Sequence, residues 1–181
     1  MDNEVLKAIR ERRSIRRFLP QQIEDEQLRT VLEAGTWAPT GHGTQDPVII
    51  AVQDPEICAV LRKLNAEVLG KENIDPYYGA PTIILVFSKA ENPNCVKDGS
   101  LVISNIMLAA HSIGLGSCWI NRCREMFETE EGRRLAPRLG IPEGYEGVGC
   151  VSLGYKAHEA PAPAPRKEGY YKIIPSGHRL S

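Results

Sequence analysis

Two short apolar runs on either side of a long amphipathic segment constrain the fold most strongly. Val48–Val52 and Thr82–Phe87 are rich in β-branched residues, as is typical of strands that are buried on both faces of a sheet. The segment between them predicts a helix, because Asp54 can cap its start, Pro55 suits its first turn and Gly70 can end it. The sequence therefore predicts that these two strands are neighbours in one sheet.

Apolar residues at helical spacing predict further helices, and two more apolar runs predict strands. Gly99–Gly114 is apolar nearly all round, which predicts a central and well buried helix. Gly132 and Pro137 weaken a predicted helix over residues 128–139. The remaining predicted elements are helices over Asp2–Glu11 and around Leu28–Leu32, and strands over Ser117–Ile120 and Val148–Leu153. No internal repeat is visible.

The composition is that of an ordinary folded domain. The chain has 181 residues, 42% of them hydrophobic and 25% charged, so we expect one domain over 1–181 and exclude disordered and coiled-coil classes. A formal net charge of -1 provides no general attraction to nucleic acid or to a membrane surface, and neither partner is expected. Leu101–Ile113 is too short to cross a bilayer and the N-terminus lacks a signal-peptide profile, so a cytoplasmic protein is expected.

The five cysteines form an odd set without a CxxC pair. This spacing argues against a disulfide framework and against a structural zinc site, so reduced thiols and no metal are expected. Cys118 and Cys123 lie five residues apart, and a redox pair between them is the less favoured alternative to simple packing.

Five arginines lie within the eight residues Arg10–Arg17, with Ser14 among them. Guanidinium groups pair with phosphate oxygens and a serine hydroxyl adds a neutral hydrogen bond, so this segment is typical of a phosphate site. An extended nucleic acid would require more basic surface elsewhere. The alternative is a solvated basic helix end that the helix dipole stabilises, and the segment alone leaves both interpretations open.

Two glycine-containing segments are further candidates for a ligand site. Ala38–Gln45 is a loop of small and hydrogen-bonding residues between a predicted helix and a predicted strand. Its glycines let the backbone approach a flat ligand closely, although most such loops only connect elements. Gly114–Asn121 leads from the buried helix directly into an aromatic segment.

The order of these segments resembles the FMN-dependent nitroreductase family, and the resemblance covers nearly the whole chain. Residues 12–18, RRSIRRF, are similar to the family's RRSxRxF signature, whose basic and hydroxyl residues hold the phosphate, ribityl chain and pyrimidine edge of FMN. The loop at 38–45 is similar to the family's APSxxNxQPW segment, which the partner subunit lays against the flavin, although Gly43 replaces the usual asparagine. The resemblance implies cofactor contacts from Arg12, Arg13, Ser14, Arg16, Pro39, Thr40 and Gly41.

The second half of the chain resembles the same family. Leu101–Trp119 is similar to its long central helix and GLG-x-x-W turn, after which a backbone N–H commonly bonds flavin N5, a role that falls near Asn121. A basic pair after the proline run closes the family's phosphate site, so the extended tail at about 157–181 would meet Arg16 in space. The resemblance implies further cofactor contacts from Cys118, Trp119, Ile120, Asn121, Arg166 and Lys167.

The resemblance also implies a fold and an activity. The fold is α+β, with a mixed, mostly antiparallel central sheet wrapped by helices, in an intimate homodimer with two FMN sites. The implied activity is ping-pong hydride transfer through flavin N5, from NADH or NADPH to nitroaromatics, quinones or similar small-molecule acceptors. Because the flavin carries the chemistry, no catalytic side chain is assigned, and His42 is a candidate substrate contact. The alternatives are a specialised reaction, such as dehalogenation or enone reduction, and a non-catalytic FMN-binding or sensing protein.

Four other residues are assigned mainly to packing. His111 is expected to be a satisfied core histidine, and Trp37 a packing residue at the end of a helix. Tyr77 and Tyr78 lie in a Pro-flanked loop, where packing is weighed against a place at the substrate mouth.

Overall fold

A computed structural model describes residues 1–176 of the chain. The last five residues of the predicted tail, 177–181, lie outside the described residues. Within residues 1–176, no helix has both the length and the apolar character that a membrane span requires.

The sheet has four strands in the order β1-β2-β4-β3, and every neighbouring pair is antiparallel. They are β1 (Val48–Val52), β2 (Thr82–Lys89), β3 (Gly116–Ile120) and β4 (Tyr145–Gly154). Val48 pairs with Phe87, which confirms that the first two predicted strands are neighbours. The expected parallel component is reduced to an isolated bridge between Ser14 and Ser117.

Within residues 1–176, six α-helices accompany the sheet, and the longer ones follow their sequence signals. They are α1 (Glu4–Glu11), α2 (Asp25–Thr36), α3 (Pro55–Leu69), α4 (Cys95–Ser112), α5 (Cys123–Glu128) and α6 (Glu130–Leu135). The Asp54 carboxylate accepts the Ile57 N–H at 2.9 Å, and Gly70 leaves the helix with φ of 70°. The predicted start and stop of α3 are therefore confirmed.

Two predicted helices differ from the observed ones. The central helix begins at Cys95, four residues before Gly99, because Gly99 lies inside α4 where the helix packs closely on Val148. The predicted helix over 128–139 is divided, since Thr129 is extended and its hydroxyl accepts the Gly132 N–H at 3.0 Å to start α6. Pro137 then stands in a short 3₁₀ turn.

The hydrophobic core lies on both faces of the sheet. Along β2, Ile83, Leu85 and Phe87 face a cluster with α3 and α5, whereas Ile84 and Val86 face a cluster with α2 and α4. This alternation follows from the pleat of a strand, in which successive side chains point to opposite faces. The result is a three-layer arrangement, with helices on each side of the sheet.

The arginine-rich segment leaves α1 and runs along β3. Its Ile15 N–H donates to the Ser117 carbonyl at 2.9 Å, and its Leu19 N–H donates to the Tyr155 carbonyl at 2.9 Å. The chain after β4 returns to the same segment, where the Ala157 N–H donates to the Arg17 carbonyl at 3.1 Å. Residues 161–176 follow, and every one of them is exposed.

Candidate functional site

The fold brings together two motifs that lie about a hundred residues apart in sequence. The bridge from Ser14 to Ser117 places the arginine-rich segment against the start of β3, directly after the glycine turn at 114–116. Because β3 is an edge strand, its outer side is open to receive this segment. The predicted basic cluster and the predicted aromatic segment therefore form one site.

The Cys118 thiol lies among polar side chains of the arginine-rich segment. Burial raises the pKa of Cys118, while the charge of Arg16, a hydrogen bond with Ser14 and the charge of Arg12 oppose that rise. The raised pKa keeps the thiol protonated and unreactive. Cys118 thus lies beside Ser14 and within electrostatic reach of Arg12 and Arg16.

Two of the arginines carry buried donors without acceptors. Nη1 of Arg12, and Nε and Nη2 of Arg13, are buried and have no hydrogen-bond partner within residues 1–176. Burial and the charge of Arg13 lower the pKa of Arg12. Buried guanidinium donors that repel each other are costly unless an anionic or hydrogen-bond-accepting group joins them. The pair is therefore the clearest sign of a bound anion.

A small cavity lies beside Arg13. It has a volume of about 220 Å³ and is lined by Arg13, His111, Ser117, Lys156 and the start of the proline tail, among others. His111 is only half-buried and its imidazole has no hydrogen-bond partner within the described part of the chain, so the expectation of a satisfied core histidine is wrong. Burial and the positive charge of Lys156 lower its pKa. Glu11 and Glu159 also line the cavity, and Lys156 pairs with Glu159 at 3.2 Å, so Arg13 is the basic side chain of the lining whose guanidinium donors lack acceptors within residues 1–176.

Side chains at the end of β3 point in different directions. Cys118 and Ile120 are 3% and 4% exposed and face the cluster of α3 and α5, whereas Trp119 packs on the opposite side with α4. Asn121 follows the strand and is exposed. Its backbone N–H has no acceptor within residues 1–176. A ligand at this edge would therefore meet the backbone of the segment rather than the buried side chains.

A buried amide that the sequence reasoning missed holds this segment in place. Asn65 of α3 donates from Nδ2 to the Asn121 carbonyl at 2.9 Å and accepts from Nε of Arg122 at 3.0 Å. Trp119 adds a bond from Nε1 to Oδ1 of Asn121 at 2.9 Å. The available signal was the position of Asn65, four residues after Leu61 on the apolar stripe of α3.

A tight loop places one aromatic ring at the site. The Asp75 carboxylate accepts the N–H groups of Tyr77 at 2.8 Å and Gly79 at 2.6 Å, which fixes the loop after α3. Tyr77 is completely buried, whereas Tyr78 is partly exposed and lies beneath the Arg16 guanidinium, 6.0 Å from the ring centroid. Of the two tyrosines, only Tyr78 is placed where a ligand could contact it.

The loop that contains Pro39, Thr40, Gly41 and His42 lies elsewhere in the same chain. The Gly41 N–H donates to Oδ1 of the buried Asp98 at 3.0 Å, near the start of α4. The arginine-rich segment lies near the other end of α4, at His111, about 20 Å away at 1.5 Å per helical residue. His42 is exposed with φ of 56°. One chain therefore does not bring this loop to the arginines.

The basic pair of the tail is also separate from the arginine-rich segment. Arg166 and Lys167 are exposed, and the cavity beside them is lined by tail residues 166–171. That the tail's basic pair lies close to Arg16 stays a prediction. Trp37 is 79% exposed, so the expectation that it packs within the chain is wrong.

The cysteines and potential metal ligands form no further centre among the described residues. All five cysteines are free thiols and are buried. Cys123 lies beside Cys150 of β4, and the interaction with Cys150 together with burial raises the pKa of Cys123. Across residues 1–176, no group of three or more His, Cys, Asp or Glu side chains is arranged to hold a metal ion.

Fold and site together define an α+β protein in which an arginine-rich segment is bridged to the start of an edge strand. The chain belongs to the Nitroreductase family, whose model matches residues 9–155. A protein of Archaeoglobus fulgidus with the provisional name NADH dehydrogenase/NAD(P)H nitroreductase is 34% identical over 160 residues, which are 86% of this chain and 87% of the relative.

Two further relatives match over most of this chain. A crystal structure of a nitroreductase with bound FMN from Bacteroides fragilis is 33% identical, covers 96% of this chain and 100% of that chain, and has a TM-score of 0.86. The FMN reductase [NAD(P)H] of Bacillus subtilis is 27% identical over 187 residues, which are 91% of this chain and 70% of the relative.

Proposed function

We propose that this chain is a cytoplasmic FMN-dependent oxidoreductase that uses NADH or NADPH and forms one FMN-binding domain. The observation that carries the proposal is the set of buried donors of Arg12 and Arg13 that have no acceptor within residues 1–176. They lie beside an edge strand, in a family with an FMN-bound relative of the same fold. The two alternatives, a specialised reaction and a non-catalytic FMN-binding or sensing role, would use the same site. Reduction of the bound FMN by NADH or NADPH would distinguish the proposal from both.

The residues of the site fit FMN by their chemistry. Arg12, Arg13 and Arg16 would bind the phosphate and the electron-rich edge of the ring, because charged donors form the strongest hydrogen bonds to such groups. Ser14 adds a neutral hydroxyl beside Cys118. The Asn121 N–H, which lacks an acceptor within the described residues, would donate to flavin N5.

We propose that the active form is a homodimer, because one chain does not assemble the whole predicted site. The loop at Pro39–His42 lies about 20 Å from the arginines of its own chain, measured along α4. The surface also carries exposed apolar side chains, including Val5 at 61%, Ile9 at 56% and Trp37 at 79%. Val5 and Ile9 lie one helical turn apart on α1, and exposed apolar patches mark protein interfaces. A second copy would bring its loop, and its Arg166 and Lys167, to each cleft.

Bound FMN would supply the hydride chemistry at N5, receiving reducing equivalents from NAD(P)H and passing them to a nitroaromatic, quinone or similar acceptor by ping-pong kinetics. The protein would bind the cofactor, orient it toward the substrate and adjust its midpoint potential. Positive charge from the arginines would favour the more negative reduced state of the cofactor. Tyr78 and the partner's copy of the His42 loop would form the edge of the substrate site.

The direct test is an absorbance spectrum of the purified protein between about 300 and 550 nm, repeated without oxygen after addition of NADH or NADPH. Flavin bands that bleach with either nucleotide would support the proposal. Bands that bleach only with dithionite would favour the sensing or specialised alternatives. A protein that cannot be loaded with FMN would contradict the proposal.

The phosphate assignment has its own test. Arg16→Ala and Arg166→Ala should each raise the Kd for FMN about tenfold or more, because each removes a charge-assisted hydrogen bond of roughly 1.5–3 kcal/mol. Arg29→Ala, at an exposed position of α2, is the matched control. Wild-type affinity for FMN in both test variants would refute the phosphate assignment.

The proposed homodimer is tested separately, by measuring the molar mass of the protein in solution with light scattering.

A further inference from the structure

Asn65 connects α3 to the segment that follows β3. Its side chain is completely buried, and its amide contacts both residues of the Asn121-Arg122 pair. Nδ2 donates to the Asn121 carbonyl at 2.9 Å, and Oδ1 accepts from Nε of Arg122 at 3.0 Å. A single buried side chain therefore holds the backbone of one residue and the side chain of the next.

The segment needs such support because its backbone is unusual. Arg122 has φ of 75°, in the left-handed region that non-glycine residues rarely adopt, and it is the residue directly before α5. A conformation of this type persists only where the surroundings hold it, and it occurs often at functional sites. The bond between Trp119 and the Asn121 side chain adds a second restraint. The two restraints act on the Asn121 carbonyl and side chain. The Asn121 N–H itself has no acceptor among residues 1–176.

We infer that Asn65 is a positioning residue for the flavin: it holds Asn121 so that the backbone N–H is presented to flavin N5. The inference rests on the proposed function, because it assumes that FMN lies along the edge of β3. Asn65 itself is completely buried and contacts the Asn121-Arg122 pair from the side of α3. Its effect on the cofactor would therefore pass through the Asn121-Arg122 backbone, and a preorganised donor is more effective than one that must reorganise.

The test compares Asn65→Leu with the wild type and with Tyr77→Phe. Leucine has the branched shape of asparagine, but it makes none of the hydrogen bonds of Nδ2 and Oδ1, and the substitution does not change the charge. Tyr77→Phe removes a hydroxyl from the same buried cluster, 3.3 Å from Nδ2 of Asn65, and leaves the contacts to Asn121 and Arg122 intact. Asn65→Ala is the second variant, to be used if the Asn65→Leu protein does not fold.

Two measurements are made on each protein. In the FMN-free protein, Asn65→Leu should make amide exchange about tenfold faster at Ile120, which pairs with Cys150 directly before the restrained residues, because one hydrogen bond no longer holds the segment. In the FMN-loaded protein, its flavin midpoint potential should become more negative and its reduction by NAD(P)H slower, with little change in KM. Tyr77→Phe should match the wild type in potential.

The outcomes separate this inference from the proposed function. If the wild type binds FMN and Asn65→Leu has the wild-type potential, the inference is wrong and the proposed function stands. An equal shift in Tyr77→Phe would also overturn it, since the effect would then reflect general packing of the cluster. If the wild type binds no FMN, both fail, and the exchange data report only a structural restraint.

Discussion

Replacing Arg13 with methionine should stabilise the FMN-free protein while weakening its affinity for FMN. Arg13 has two buried donors without acceptors within residues 1–176, and its charge lies beside that of Arg12. Each buried unsatisfied donor costs about 1–3 kcal/mol, whereas the bond from Nη1 of Arg13 to the Arg12 carbonyl contributes about 1 kcal/mol. Methionine retains much of the aliphatic packing of the arginine stem.

The expected gain in the free energy of unfolding is about 1–3 kcal/mol, after allowance for relaxation of a half-buried side chain. A gain of this size raises Tm by about 2–4 °C for each kcal/mol in a chain of this length. The Kd for FMN should rise about tenfold to hundredfold, because a charge-assisted hydrogen bond contributes roughly 1.5–3 kcal/mol.

Urea denaturation of the FMN-free protein measures the first effect, and FMN titration measures the second. Arg29→Met, at an exposed position of α2, should change the free energy of unfolding by less than about 0.5 kcal/mol. If Arg13→Met lowered the stability of the FMN-free protein by more than about 1 kcal/mol while Arg29→Met did not, the guanidinium would have acceptors in the absence of FMN and the reasoning would be refuted.

Three further predictions concern packing, capping and pH. Gly99→Ala should lower stability by about 1–3 kcal/mol in thermal denaturation, because the added methyl would lie 2.6 Å from Cγ2 of Val148, and Val148→Ala should restore part of the loss. Asp54→Ala should cost about 1 kcal/mol by removing the cap on the Ile57 N–H, whereas Asp54→Ser should cost little; equal losses would count against the cap. Folding lowers the pKa of His111 below its ordinary value of 6.5, so its contribution to stability is present above about pH 6.5 and is lost as pH falls through the folded-state pKa. Urea midpoints should therefore decrease less for His111→Gln than for the wild type between about pH 8 and 5, and parallel curves would contradict this.

Much of the fold could be predicted because its signals are local. The cap at Asp54 and the stop at Gly70 act within one helical turn, and the β-branched run of β2 favours an extended chain wherever it is placed. The arginine-rich segment was also visible as a candidate anion site, since residue type and density suffice to indicate it. The family resemblance then supplied the antiparallel sheet and the expected cofactor.

The features that the sequence did not predict depend on contacts between distant residues. Gly99 was interpreted as the start of a helix, but it lies within α4 because a residue without a side chain fits against Val148 of β4, 49 positions later in the sequence. His111 was assigned to the core, whereas the return of the chain after β4 places it beside a cavity with Lys156. Neither position can be derived from local periodicity.

The sequence alone determined which residue types the candidate site contains, because five arginines and Ser14 lie within eight residues. Only the tertiary structure decided how that chemistry is arranged. The pairing of Ser14 with Ser117 places the arginines at an edge strand, and the amide of Asn65 reaches across from α3 to hold Asn121. The physical reason is that propensity acts over a few residues, whereas the orientation of a donor depends on side chains that meet only when the chain is folded.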